Sequence, residues 1–450
     1  MQYGPGWTRL IAALCLATPA GTILAETPHP QTELRARLAE LETEVASLRA
    51  ERGQQRITGQ RAEAVRALVH DVLADADSRS SLLRNQVTSG WDNGFFVASP
   101  DGDFRLKIAG QLQVRFVYNT QDDGPSDDHR SGFENARTRL GFIGHVVDPS
   151  WQYFIWAGWT AGGSSLLLDA WVRKDLGKGW SIQAGQFKIP NWQEWLVSET
   201  RLQLVERSLL TARYASLYGQ GVQVHYSADS VRIHGAFTDG LRTWNTPWST
   251  PPSATTGSAG YQLSTEYALT LRGEYKLCGE WTQWPDLESW FDEPTMCVVG
   301  ASLHYQDGEY GTADDETELL QWTVDVSSEF GGFNIFAAVI GSHFDSATID
   351  RDEYGALLEV GAFVTDDWEI FGRYEWGDLD GAGAVSDELS ILTFGATRFF
   401  NQHALKWTTD IGYAFREVDA GWASAGAGWR ADSADQDGQV VVRSQVQLLF

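Results

Sequence analysis

The chain is poor in sulfur, with 3 Cys and 2 Met in 450 residues. Basic residues are also scarce. There are 34 Lys and Arg against 60 Asp and Glu, a formal charge of −26. That balance argues against a nucleic-acid partner, whose phosphates need a basic face. No apolar run reaches the roughly 20 residues a membrane helix needs, and mean hydropathy is −0.28. Their lack does not exclude a membrane, because barrel strands turn half their residues to a polar lumen and look hydrophilic on average. Abundant instead are 45 Gly, 21 Phe, 20 Trp and 14 Tyr, which suit turns, strands and membrane interfaces.

The first 25 residues read as an export signal. Arg9 is their only charge, Leu10–Leu16 is apolar, Pro19 and Gly21 interrupt it, and Ile23-Leu24-Ala25 supplies a cleavage site. Removing residues 1–25 leaves two cysteines, Cys278 and Cys297. An exported chain is expected to bridge them as a disulfide. Residues 26–90 read as a helical periplasmic segment. Leu34, Leu38, Leu41, Val45 and Leu48 keep a heptad seam of about three repeats. So short a coil associates when a larger domain already holds the chains together. A second stripe runs through Val65, Leu68, Val69, Val72, Leu73 and Ala76. Trp91–Pro100 reads as a crossover punctuated by Gly and Pro.

From residue 101 the apolar period becomes two. Phe104, Leu106, Ile108, Leu112, Val114, Phe116 and Tyr118 share one face. Arg105, Lys107, Gln111, Gln113 and Arg115 share the other. The chain ends on another such stretch, from Val440 to Phe450, bare at what would be an edge in an open sheet. A closed barrel removes that edge by pairing the last strand with the first. Sixteen strands are predicted between residues 104 and 450, an even number that suits antiparallel up-and-down closure. Tight turns such as Asp148-Pro149-Ser150, Gly331-Gly332 and Asp366-Asp367 alternate with long loops at 120–132, 189–218, 240–262 and 418–438. Short turns on one side and long loops on the other are the habit of outer-membrane barrels. Residues 277–296 break the rule, a long Trp-bearing insertion on the short-turn side. One strand face carries no charge over most strands, for example Leu320, Trp322, Val324 and Val326, so it faces lipid and the polar face lines a lumen.

The stretches Asp101–Gln113, Phe133–Gly144 and Gly185-Gln186-Phe187-Lys188-Ile189-Pro190 resemble the phosphate-selective porin O and P family. Arg272-Gly273-Glu274-Tyr275, Trp281, Trp284 and His304-Tyr305-Gln306 add resemblance to a subgroup with the Trp-bearing insertion. The resemblance implies an all-β, 16-stranded transmembrane barrel in the outer membrane, assembled as a homotrimer and in contact with lipid. It also implies a third loop folded inward as a constriction, and uptake of small anions such as phosphate or polyphosphate. No cofactor is expected. The acid clusters Asp122-Asp123, Asp127-Asp128 and Asp314-Asp315-Glu316 lack the spacing of a calcium loop, and no metal site is expected.

By strand parity, lumen bases slightly outnumber lumen acids. Arg232 and Arg416 are among those bases. The anion-binding candidates are Lys107, Arg115, Arg137, Arg139 and Arg173 on the wall, with Lys188, Arg201, Arg207 and Arg213 at the constriction loop. Arg and Lys rings set anion selectivity in pores. The same loop holds Glu194, Glu199 and Glu206, which can cancel them. Alternatives are a non-selective porin and a structural tether working through the coil. An enzyme is the remaining class, but Ser227, His225 and His234 make no nucleophile–base–acid set.

Overall fold

The computed structural model describes residues 37–47, 69, 87–92, 94–121, 128–215, 217–249, 253–256, 261–308, 316–347, 350–433 and 438–450. The chain divides into two units, Met1–Leu83 and Arg84–Phe450. In the first, a helix over 37–47 exposes Leu38, Leu41 and Val45 on one stripe. The export signal, Leu34, Leu48 and all of the second stripe except Val69 lie outside the described residues.

The second unit is built of strands. β1 (Thr88–Trp91) and β2 (Phe95–Ala98) precede β3 (Arg105–Gln121), β4 (Asp128–His145), β5 (Trp151–Trp159), β6 (Ser165–Gly177) and β7 (Trp180–Lys188). Then come β8 (Tyr218–Ser227), β9 (Val231–Thr238), a small separate hairpin of β10 (Ser253–Thr256) and β11 (Tyr261–Ser264), β12 (Tyr267–Cys278) and β13 (Met296–Asp307). β14 (Thr317–Glu329), β15 (Phe333–Ser346), β16 (Asp350–Thr365), β17 (Trp368–Asp378), β18 (Glu388–Asn401), β19 (Leu405–Ala414) and β20 (Val440–Leu449) complete the series. β3–β9 and β12–β20 pair antiparallel in chain order, β9 joins β12, and β20 returns to β3. The result is a closed barrel of sixteen strands, as the period-two pattern predicts.

Closure runs from Val440 opposite Thr120 to Leu449 opposite Gln111. The Gly110 amide donates to the Phe450 carbonyl at 2.7 Å, and the Phe450 amide donates back at 3.1 Å. The Phe450 ring lies over Gly110, where any Cβ would collide with it. Below that point β3 would show a bare edge, because its other side is taken by β4. Here β2 pairs with Arg105–Ile108 and covers it. The stretch read as a crossover is therefore a hairpin, β1–β2, whose short strands satisfy backbone groups that β20 does not reach.

The faces alternate in the opposite sense to a soluble sheet. On β14, Leu320, Trp322 and Val324 are exposed, while Gln321, Thr323 and Asp325 are buried. Trp151 and Trp180 open their strands and are exposed, as an interfacial belt requires. The expected disulfide is absent. Cys278 and Cys297 are opposite one another on the β12–β13 ladder, yet both are free thiols. The rung is irregular, with a register shift between Lys276 and Cys278, and the Ser328 hydroxyl donates to the Cys297 Sγ at 3.3 Å. Arg416 also departs from expectation. β19 ends at Ala414, so Arg416 sits beyond the wall, largely exposed, beside Glu388.

Overpacking a filled contact costs about 1–3 kcal/mol. Gly110→Val should therefore displace the Phe450 ring and lower the yield of heat-modifiable, folded barrel in refolding gels. Gly132→Val, with open space around its Cβ position, should fold like the parent. Equal yields from the two variants would sink this account of the seam.

Candidate functional site

The long connection between β7 and β8, described over residues 189–215 and 217, folds into the barrel. It contains two short helices, Gln193–Leu196 and Leu209–Tyr214. Glu194 organises it from within. Its carboxylate accepts from the Ser208 amide at 2.7 Å and the Thr211 hydroxyl at 2.5 Å. Ser208 in turn caps the second helix by accepting from the Thr211 amide. Ile189, Trp192, Leu209 and Leu210 are wholly buried in the core the loop makes with the wall.

The wall from β13 to β19 holds this loop by its polar groups. The Ser302 hydroxyl donates to the Asn191 carbonyl at 2.6 Å, and Asn191 Nδ2 donates to Gln321 at 2.7 Å. The Val205 and Leu209 amides donate to Asp410 and Glu375 at 3.0 and 2.6 Å. Lys406 donates to the Leu202 carbonyl at 2.7 Å. Arg213 makes a two-toothed pair with Glu353 at 2.7 and 2.5 Å. A second connection, described over residues 415–433, also turns inward. Trp422 and Trp429 are buried, Gly426 accepts from Arg115 at 2.6 Å, and Ala427 accepts from Arg443 at 2.8 Å.

Most of the predicted anion-binding residues are consumed by these contacts. Arg115 and Arg137 converge on Glu206, at 3.1 Å and at 2.6 and 2.8 Å. Burial pushes the Glu206 carboxyl up, but the two guanidiniums prevail and hold it below the ordinary carboxylate range. Arg139 pairs with Glu199. Arg207 donates to the Val197 and Glu194 carbonyls at 2.7 and 3.1 Å. Lys188 donates to the Trp195 carbonyl at 2.7 Å. Arg201 reaches Asp286 at 3.3 Å. Lys107 lies low on β3 with its side chain against Gly94. Arg137 and Arg139 therefore form no free rung, because each grips a different loop carboxylate.

Among the described residues a cavity of about 900 Å³ lies open between the loop and the β3–β9 wall, reaching to the insertion and the β18–β19 turn. Its wall carries Ile143, Phe154, Trp156 and Trp171 facing inward. Beside them stand Arg173, Arg232, His225 and His234, with Asp169, Glu199 and Glu274 as the acids. Arg173 donates to Gln183 at 2.9 Å and lies 4.8 Å over the Trp171 ring. Arg232 lies 4.0 Å over the Trp281 ring. Neither has a carboxylate at ion-pair distance among the described residues. His225 and His234 touch through their Nδ1 atoms at 2.8 Å.

The Trp-bearing insertion, between β12 and β13, crosses the short-turn mouth. Trp281 Nε1 donates to the Asp229 carbonyl at 2.9 Å in the β8–β9 turn. Trp290 packs on Phe399 and His403 at the β18–β19 turn, with centroids 4.8 and 5.9 Å away. The two turns are eight strands apart around the ring of sixteen, so the insertion spans the bore as a bar. Sequence reasoning saw the insertion but not its course. It also missed the inward Trp422 and Trp429, whose only signal was a pair of Trp bracketing a run of Ala, Ser and Gly.

Comparison with known proteins agrees with this architecture. The model of the family described as phosphate-selective porin O and P matches residues 106–276. Among solved structures, the anion-selective porin from Comamonas acidovorans is 12% identical, over 77% of this chain and 99% of its own, with a TM-score of 0.53. OmpF of Salmonella typhi, solved with daunomycin, is 12% identical over 81% of this chain and 100% of its own, with a TM-score of 0.54. OmpT of Vibrio cholerae, an outer membrane protein solved in a trimer form, is 12% identical over 77% and 99%, with a TM-score of 0.52. No curated protein matches the chain. At these identities the likeness is one of fold. The closed wall with its lipid-facing outside, the inward loop and the family match together make this chain an outer-membrane channel for small solutes, matching the phosphate-selective porin O and P family over residues 106–276.

Proposed function

We propose that the channel prefers anions and that solutes pass along the β3–β9 wall, between Arg173 and Arg232 and the constriction loop. The observation that carries this reading is a contrast among the lumen arginines. Where the loop is docked, guanidiniums are matched by carboxylates. On the open side Arg173 and Arg232 have no such partner and border the cavity. A cation left unmatched beside water in a low-dielectric wall attracts counter-ions more strongly than one in a pair. Phosphate, named by the matched family, is the first solute to try, since a planar guanidinium suits its geometry. The same reading takes the protein as a homotrimer whose residues 26–90 lie in the periplasm, the 34–48 seam joining the three chains.

Two measurements test the selectivity. In planar bilayers under a potassium chloride gradient, the parent should reverse on the anion side. The double variant Arg173→Ala, Arg232→Ala should lower the chloride-to-potassium permeability ratio by about two- to fivefold. A parent that reverses on the cation side overturns the proposal. Glu206→Gln should act in the other direction. It removes the charge that neutralises Arg115 and Arg137, so the ratio should rise, by about twofold. An unchanged ratio would mean that those two guanidiniums do not sense the solute path.

A further inference from the structure

The geometry points to a divalent transition-metal site where the bar meets the far side of the mouth, built from Asp286, Glu288 and His403. One ligand atom from each lies within 4.8 Å of the others. Asp286 and Glu288 belong to the bar and His403 to the β18–β19 turn, so the metal would tie one to the other. The site involves neither of the open-wall arginines, and its test does not depend on the selectivity reading.

The polar groups there are left incomplete by the protein. Glu288 is fully buried, and its Oε1 faces Lys406 at 3.2 Å while its Oε2 has no hydrogen-bond partner. Asp286 repeats the pattern. Its Oδ2 faces Arg201 at 3.3 Å and its buried Oδ1 has none. Each cation engages one oxygen of its carboxylate and leaves the other over. Both ring nitrogens of His403 are buried without a hydrogen bond, the Nε2 lying 3.4 Å from Asp286. Stranding a buried polar atom costs about 1–3 kcal/mol, more for a charged group, so four such atoms in one place need an explanation.

The charge balance asks for a cation as well. Glu329 and Glu369 lie close enough to Asp286 and Glu288 to repel them, and each also has one oxygen without a partner. Lys406 and Arg201 are too few to offset four carboxylates. One imidazole with two carboxylates is a donor set for zinc, manganese or ferrous iron, whereas calcium and magnesium take oxygen alone. Bonds of about 2.0–2.2 Å require the three side chains to draw together from their present spacing. Residues so far apart in sequence leave no metal-binding spacing to read, which is why no site was expected there.

The test uses the full-length protein in detergent, stripped with a chelator and dialysed against zinc. The expected result is about one tightly held zinc per chain. His403→Ala and, separately, the isosteric Asp286→Asn should each weaken it at least about tenfold. His343→Ala, an exposed histidine paired with Asp352 on neighbouring strands, should leave binding unchanged. Folding of every variant is checked by heat modifiability. Parent protein that is folded and holds no zinc overturns the site, whatever the variants do. So does zinc held equally by the parent and both site variants, which would mark adventitious binding.

Discussion

A backbone amide facing hydrocarbon has no water to bond, so a membrane sheet must satisfy every such group from within. In this chain the demand is most acute at one place, the last residue. Phe450 exchanges two backbone bonds with Gly110, and its ring covers the space left by the missing side chain. β2 takes over where the chain ends. Without these partners the edge of β3 would open, and sixteen strands would be a curled sheet. The lipid-facing and lumen-facing sets, the interior loops and the passage all presuppose that closure.

Once closed, the barrel has an interior too wide for side chains alone to fill. The chain fills it with backbone, and backbone brings unpaired amides and carbonyls with it. This is why the β13–β19 wall carries Asp325, Glu353, Glu375, Asp410 and Lys406 on its inner face although they are buried. They are the counterparts of the constriction loop or of arginines on the flanking strands β12 and β20, as in the two-toothed Arg443–Asp410 and Arg272–Asp325 pairs. Burying ions in this way adds little net stability by itself. Its effect is to fix where the loop sits, because removing one member would leave the other stranded.

The strands were legible because a period of two is local. Leu320, Trp322 and Val324 announce their face whatever the rest of the chain does. Closure was legible from the bare last strand, and the even count from the alternation of short and long connections. The destination of a loop was not. Glu199 and Glu206 stand beside Arg201 and Arg207 in sequence, which invites local pairing, yet their stronger partners are Arg139, and Arg115 with Arg137, on strands far away in the chain. Parity placed these guanidiniums on the inner face but could not say that they were already spoken for. The course of the 277–296 insertion was illegible for the same reason. Its anchors at Asp229 and His403 lie on opposite sides of a ring that exists only after folding.

The inner face itself records which half of the lumen is occupied. Where a loop docks, the wall must answer backbone polar groups as well as apolar side chains, and its inward residues include acids, amides and hydroxyls beside the buried Phe336, Ile340, Leu357 and Ile391. Where the passage remains, nothing has to be answered, and the wall can turn Ile143, Phe154, Trp156 and Trp171 to the cavity. The cavity therefore lies off-centre in the barrel. On the proposed route the arginines that a solute meets are those standing among aromatics, Arg173 over Trp171 and Arg232 over Trp281, and not those arrayed against the loop's carboxylates.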